Sequence, residues 1–378
     1  MDERLAFIAE YLRLESNMSA LCRVYGISRK TGYQLVARYV AEGPRGLLER
    51  SRAPHHHPQA IRPGVREALL ALRRAHPRWG PRKLRARLQA QHPTQAWPAA
   101  SSVGALLRQA GLTRPAGARR AATPGGPGLT ASQGPNDVWT IDFKGWFRTQ
   151  DGRRCDPLTL VDDASRYLLA CVALPHPTAE AVQPRLERAF RAYGLPQVLR
   201  SDNGTPFVIP RGVQGLSRLA VWWLKLGIRP ERIQPGHPEQ NPRHERLHWT
   251  LKQETAMPPH ASRCAQQRAF DGFQAVYNHE RPHEALGQQP PATVYRPSPR
   301  PYPPRVAAPE YPAPMTVRRV RHGGDIKWRG TLVFISEALR GEPLGIEEVA
   351  AGCWHVHFGP LTLGCLHVGT DQLLPPDA

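Results

Sequence analysis

Three Pro- and Gly-rich interruptions constrain this chain more than any other feature, because regular helices and strands do not run through them. Ser51 to Pro58 carries three histidines between prolines, residues 114–134 are rich in Gly, Pro, Ala and Arg, and 290–314 hold ten of the 40 prolines. Four globular pieces remain, 1–50, 63–113, 137–289 and 315–378, in a chain of 378 residues. A single core is not expected at that length, since domains usually run to about 100–200 residues.

Charge is spread unevenly over these pieces. Residues 1–136 hold 22 basic and 7 acidic side chains, 137–299 hold 21 and 16, and 300–378 hold 8 and 8, which together give +20. An electropositive front followed by a nearly balanced middle and a neutral tail implies a polyanionic partner gripped by the front. No apolar run approaches the roughly 18–20 residues of a membrane span, and MDERLAFIAEYLRLES is too acidic for a signal peptide. The expectation is a soluble, cytoplasmic protein with no membrane partner. Its six scattered cysteines lack any C-x-x-C pair and are expected to be reduced, buried thiols.

The first piece contains SALCRVYGISRKTGYQLVARYV, which reads as helix, tight turn, helix. Leu21 and Val24 are expected to pack inward, Gly26 to take the positive φ of the turn, and Ser28 to cap a second helix with Leu35, Val36 and Tyr39 on its buried stripe. Arg29, Lys30, Tyr33 and Gln34 then project from the start of that helix, where a recognition helix meets bases and phosphates. The second piece repeats the theme: Val65, Leu69, Leu72, Leu84, Leu88, Val103, Leu106 and Leu107 supply three stripes, with Ser101 as a cap. Arg82, Lys83, Arg85 and Arg87 give one helix a dense positive face, read as a second DNA contact; a spacer bundle is the plainer alternative.

From Asn136 the pattern alternates between β and α. NDVWTIDFKGWF is strand-like, PLTLVDDASRYLLACVAL reads as two strands turning at Asp162 to Ser165, a helix spans Thr178 to Tyr193, and QVLRSDNGTPF gives a strand ending at Asp202. Further helices are expected over Gly215 to Leu226 and Pro242 to Gln253, the latter carrying Glu245 and, two turns on, Lys252. Asp142 sits in an apolar strand, where an ionised carboxylate without a partner is costly and calls for a cation. Carboxylates from two strands and a helix can converge on two Mg²⁺ ions, or Mn²⁺ in their place, for phosphodiester chemistry. Each acid also has a dull explanation as a turn, a cap or a solvated helix residue. His244 and His248 stand four apart like zinc ligands, with His237 nearby, but no cysteine pair accompanies them and zinc is not expected.

The set WTIDFKG, LVDDASRY, LRSDNGTPF, GHPEQNPRHERLHWTLKQE and YNHERPHEALG resembles the catalytic core of bacterial insertion-sequence transposases related to retroviral integrases, the DDE group. LCRVYGISRKTGYQLVARY and HPRWGPRKLRARL are similar to the paired helix-turn-helix units of those enzymes, and the tail resembles their small terminal β domain. The resemblance implies helix-turn-helix domains over 1–52 and 63–115, a linker over 116–136, an α/β RNase H-like core over 137–295, a Pro-rich linker over 296–314 and a small β-barrel over 315–378. It implies that Asp142, Asp202 and Glu245 bind the metals and that Asn241, Arg246 and Lys252 lie beside DNA. The implied reaction is cleavage at the 3′ ends of the element and strand transfer into target DNA, by a homo-oligomer holding two double-stranded ends, nucleoid-associated when bound. Two departures stand out: 42 residues separate Asp202 from Glu245, with the excess in VIPRGVQGLSR, and Pro242 follows Asn241 where Gly is commoner. An inactive DNA-binding relative and a nuclease that cuts without joining are the rival readings.

Overall fold

The computed structural model describes residues 2–13, 17–50, 60–113, 129–209, 212–234, 242–368 and 372–375. It divides into two units, Met1–Arg62 and Pro63–Ala378. In the first, α1 (Asp2–Leu12), α2 (Met18–Val24) and α3 (Arg29–Glu42) close around Phe7, Ile8, Leu21, Cys22, Leu35 and Leu47. The Ser28 hydroxyl accepts from Thr31 N at 3.1 Å, capping α3 as expected, and Gly26 has φ +62°. Gly32 marks where α2 crosses α3, since a Cβ there would stand 2.6 Å from Cys22 Sγ. Val24 departs from expectation: it is 78% exposed, because the α2 stripe is completed by Leu21 and Cys22 instead.

The second unit opens with α4 (Pro63–Ala75), α5 (Pro81–Gln91) and α6 (Ala100–Gln109), packed through Val65, Leu69, Trp79, Leu84, Leu88, Trp97, Val103, Leu106 and Leu107. Ser101 lies inside α6 rather than capping it, the cap position being Ala99. Arg73 is buried where the stripe suggested only Leu72, and its guanidinium donates to Trp79 O at 2.6 Å and to Leu112 O at 2.7 Å. Arg73→Ala is therefore expected to strip two carbonyls of charged donors, costing about 3 kcal/mol. Hydrogen exchange would show selective loss of protection in α4 to α6.

The piece that begins near residue 137 is a mixed sheet. Its strands are β1 (Val138–Phe143), β2 (Phe147–Arg148), β3 (Arg154–Asp162), β4 (Leu168–Leu174), β5 (Val198–Ser201) and β6 (Arg229–Arg232). β3 lies between β4 and β1, both antiparallel to it, and also pairs with β2; β5 and then β6 extend the sheet in parallel. Trp139, Ile141, Leu158 and Leu160 face α7 (Ala179–Tyr193) and α8 (Arg218–Lys225). Cys155, Val161, Leu168 and Cys171 face α9 (Pro242–Thr255) and α10 (Arg263–His279). Along the outer edge of β4, α10 sets three amides: Gln267 bonds Ala173 N and Cys171 O, Gln274 bonds Leu168 O, and Asn278 bonds Leu168 N and O, at 2.8–2.9 Å. Residues 298–300 lie across the core, Ser298 N donating to Tyr193 O and Leu195 N to Arg300 O. Gly194, with φ +76°, permits that approach, because a Cβ would meet Ser298 O at 2.6 Å.

The tail does not form the expected closed barrel. Strands β7 (Thr316–Arg319), β10 (Pro343–Ala350), β11 (Cys353–Phe358) and β12 (Leu361–His367) make an open antiparallel sheet in the order β12-β11-β10-β7. β8 (Asp325–Trp328) and β9 (Thr331–Phe334) form a separate hairpin, linked to the sheet only by single bridges at Phe334–Gln372 and Cys365–Leu374, so among the described residues no continuous ladder closes. The tail instead completes its core against the mixed-sheet piece, with Lys225 and Glu342 paired at 2.7 Å. Among the described residues no disulfide joins the cysteines; Cys264 is exposed and Cys353 half-buried, against expectation, and the other four are buried. No described helix is long and apolar enough to cross a membrane.

Candidate active site

Asp142 and Asp202 are brought level by the parallel pairing of β1 and β5. Thr140 lies opposite Arg200 in that register, so the carboxylate two residues on in each strand direction emerges at the same end of the sheet and on the same face. α9 covers this face. Its Glu245 is exposed, while His244 beside it is buried. Burial, reinforced by repulsion from Asp202 and Glu245, pushes the Asp142 carboxyl up to about 7, and burial also raises Asp202. The three sequence-selected acids thus repel at Asp142, and among the described residues no cation offsets that repulsion.

The Asp142 strand neighbour Thr159 was not selected from sequence, yet it organises the site. Its hydroxyl lies 2.7 Å from His248 Nε2 and 3.0 Å from His244 Nε2, and His248 Nδ1 stands 3.9 Å from Asp142 Oδ2. Burial lowers His244 to about 4; burial and the neighbouring His244 and Lys144 lower His248 to about 2. Both imidazoles are neutral at ordinary pH, so the His248 approach to Asp142 is not an ion pair. Glu245 completes an H-E-x-x-H spacing that sequence reading passed over, but the Nε2 atoms of both histidines are taken by Thr159 rather than left for zinc. Thr159→Val should orphan both buried nitrogens and cost about 2 kcal/mol or more, lowering the melting temperature by several degrees in a calorimetric scan. At the start of α9, Arg243 bonds the Asp163 carboxylate, tying the Glu245 turn to the β3–β4 hairpin that LVDDASRY builds.

The other sequence-selected residues fall into three groups. Arg29, Lys30, Tyr33 and Gln34 are all exposed on the first turns of α3. Arg246 and Lys252 are exposed on α9, and Lys252 is near enough to Lys144 to lower it further beyond the effect of burial. Arg82, Lys83 and Arg87 are engaged by residues 280–284: Arg82, itself exposed, pairs with exposed Glu284 at 2.9 Å, Arg87 with Glu280 at 3.1 Å, and Lys83 donates to Pro282 O. Arg78, not selected from sequence, bonds Gln253 and stacks over Trp249 of α9 at 5.5 Å. Arg85 remains exposed. Asn241 and His237 lie outside the described residues.

Among the described residues no three His, Cys, Asp or Glu side chains are drawn tight enough to hold a metal ion. The donor chemistry nevertheless fits one: an all-oxygen set, mutually repelling and short of positive charge, is what a hard divalent cation takes.

Residues 132–238 and 226–291 each match a family described as integrase core domain, residues 31–107 a homeodomain-like domain and residues 3–55 a helix-turn-helix domain. The 39.2 kDa protein of insertion element IS476 from Xanthomonas euvesicatoria is 31% identical over 235 residues, 59% of this chain and 62% of that one. The 31.7 kDa protein of insertion element IS407 from Burkholderia multivorans is 28% identical over 274 residues, 71% and 91% of the two chains. Similar solved structures include the HTLV-2 integrase catalytic core domain in complex with magnesium (13% identity, TM-score 0.35, 44% of this chain and 100% of that one). Another is a simian T-cell lymphotropic virus intasome (17%, TM-score 0.37, 76% and 91%). The match to the Xanthomonas protein thus spans less than two thirds of that relative. An integrase core behind helix-turn-helix modules, shared with proteins of mobile elements, makes the chain similar to insertion-sequence transposases of the DDE type.

Proposed function

We propose that this protein binds the terminal inverted repeats of its own insertion sequence and catalyses Mg²⁺-dependent 3′-end cleavage and strand transfer into target DNA. The observation that carries the reading is the level placement of Asp142 and Asp202 on adjacent parallel strands, with Glu245 of α9 repelling the first. These three carboxylates would hold the ions, which when bound activate the attacking oxygen and stabilise the leaving one. In the first step a water oxygen bonds to the phosphorus at the element end as the P–O bond to the flanking strand breaks, leaving a 3′-OH. In the second that 3′-OH attacks a target phosphodiester, one P–O bond again replacing another without a protein adduct. Thr159 and His248 hold the Asp142 side of the site, Lys144 and Lys252 offer charge to backbone phosphates, and the exposed face of α3 engages the ends. Two ends must be held together, so the working form is a homo-oligomer on double-stranded DNA. The test is to incubate the protein with labelled end DNA, target DNA and Mg²⁺ and look for joined product. Nicking without joining would make it a nuclease, and binding without either would make it an inactive relative.

A further inference from the structure

Trp146 is a large aromatic side chain left 55% exposed just beyond β1, and it is held in place. The guanidinium of Arg154 lies 5.1 Å from its ring centroid and that of Arg148 5.8 Å. Each cation is itself hydrogen-bonded. Arg154 is gripped by Asp156 through two bonds of 2.6 and 3.0 Å, and Arg148 donates to Gly152 O at 2.8 Å. Arg148 and Arg154 are direct cross-strand partners in β2 and β3, which sets both on the same side of the ribbon. The indole is therefore a plate flanked by two hydrogen-bonded cations. Core packing does not explain it, and Phe147 next to it is the residue that turns inward.

Its neighbourhood selects the partner. Between residues 144 and 154 stand Lys144, Arg148, Arg153 and Arg154 against the single acid Asp151. Trp146 lies four positions after Asp142, so the two Cα atoms are at most about 14 Å apart, roughly four base-pair steps of duplex. A fixed aromatic face in a basic surface at that range suits a nucleobase that has left its stack, held while the backbone beside it is cut or joined.

We propose that Trp146, clamped by Arg148 and Arg154, is a stacking platform for an unpaired base of the DNA next to the reacting phosphate. This rests on the DNA reading given above. The platform positions DNA and takes no part in bond making.

The test uses the full chain without divalent metal, so that nothing is cut, and two probes of generic sequence. One is a forked duplex with 2-aminopurine in the unpaired arm beside the junction; the other is the same sequence fully paired. The native protein should prefer the fork and change the 2-aminopurine emission on binding. Trp146→Ala should bind the fork about tenfold more weakly and lose the emission change while its duplex affinity is unaltered, and Trp146→Phe should retain most of both. Equal fork affinity and an unchanged emission response in Trp146→Ala overturn the platform. So does an equal loss on fork and duplex, which would mark a backbone contact. A loss of self-association in sedimentation with fork binding intact overturns it too, pointing to a protein partner. The enzymatic reading fails separately: an intact fork response with no joined product in Mg²⁺ would leave the platform standing and remove the transposition chemistry.

Discussion

Asp142→Asn should reduce end cleavage and joining by about 10³-fold or more while raising the stability of the metal-free protein. The first effect follows, on the proposed function, from removing one of the three charged oxygen donors that would hold the metal. The second follows from the same repulsion. Because burial and its two acidic neighbours raise Asp142 to about 7, the folded state holds a proton that the unfolded state releases near 3.8. The native form binds more protons across that window, so stability falls as pH rises from about 4 to 7, and the whole penalty is present above 7. Asparagine carries no such charge. Thermal unfolding without metal should place the variant a few degrees above the native protein at pH 7.5 and level with it near pH 4. Added Mg²⁺ should then stabilise the native protein and leave the variant unmoved. A variant that joins DNA at the native rate would end the assignment of Asp142 as a metal ligand.

A second large effect is expected at Lys83, where α5 meets the core. Burial and the nearby Arg281 lower its ammonium from 10.5 to about 7. Here the unfolded state binds more protons between pH 7 and 10.5, so stability rises with pH across that window and the cost is complete below about 7. Lys83 is partly exposed and solvent screens part of the cost, which leaves about 2 kcal/mol. Lys83→Met should remove this slope: the variant gains over the native protein at pH 6.5 and the difference shrinks toward pH 10. Hydrogen exchange of α5 resolves the effect from the rest of the molecule. An unchanged native-minus-variant difference from pH 6.5 to 10 would show that Lys83 is not desolvated against Pro282.

Lys83 also shows where sequence reading stops. A run of Arg82, Lys83, Arg85 and Arg87 on one helix has the same appearance whether it meets phosphates or acids, and the acids it meets, Glu280 and Glu284, are some 200 residues away. By contrast the strand setting of both acids was legible, Asp142 inside VWTIDF and Asp202 directly after the strand that ends at Ser201. Thr159 was silent: a threonine in PLTLVDD is ordinary strand composition until pairing sets it opposite Asp142. Helix α10 was missed because Gln267, Gln274 and Asn278 are spent on β4 backbone groups and dilute its apolar stripe of Phe270, Phe273 and Tyr277. β6, with Pro230 between charged neighbours, has little strand character of its own and forms through pairing with β5. The tail strands were recognisable, but whether a ladder closes depends on long-range pairing that local alternation does not encode.

The amide row that α10 lays along β4 bears on assembly. A bare outer strand offers its unsatisfied donors and acceptors to any second chain and invites a continuous intermolecular sheet. With Ala173 N, Cys171 O and both polar groups of Leu168 already answered by glutamine and asparagine, that margin is sealed. On the proposed function, copies gathered around two DNA ends would then meet through side chains rather than by splicing their sheets at β4. An association built on side chains can be taken apart when the DNA is released, whereas a shared sheet would tend to persist and grow.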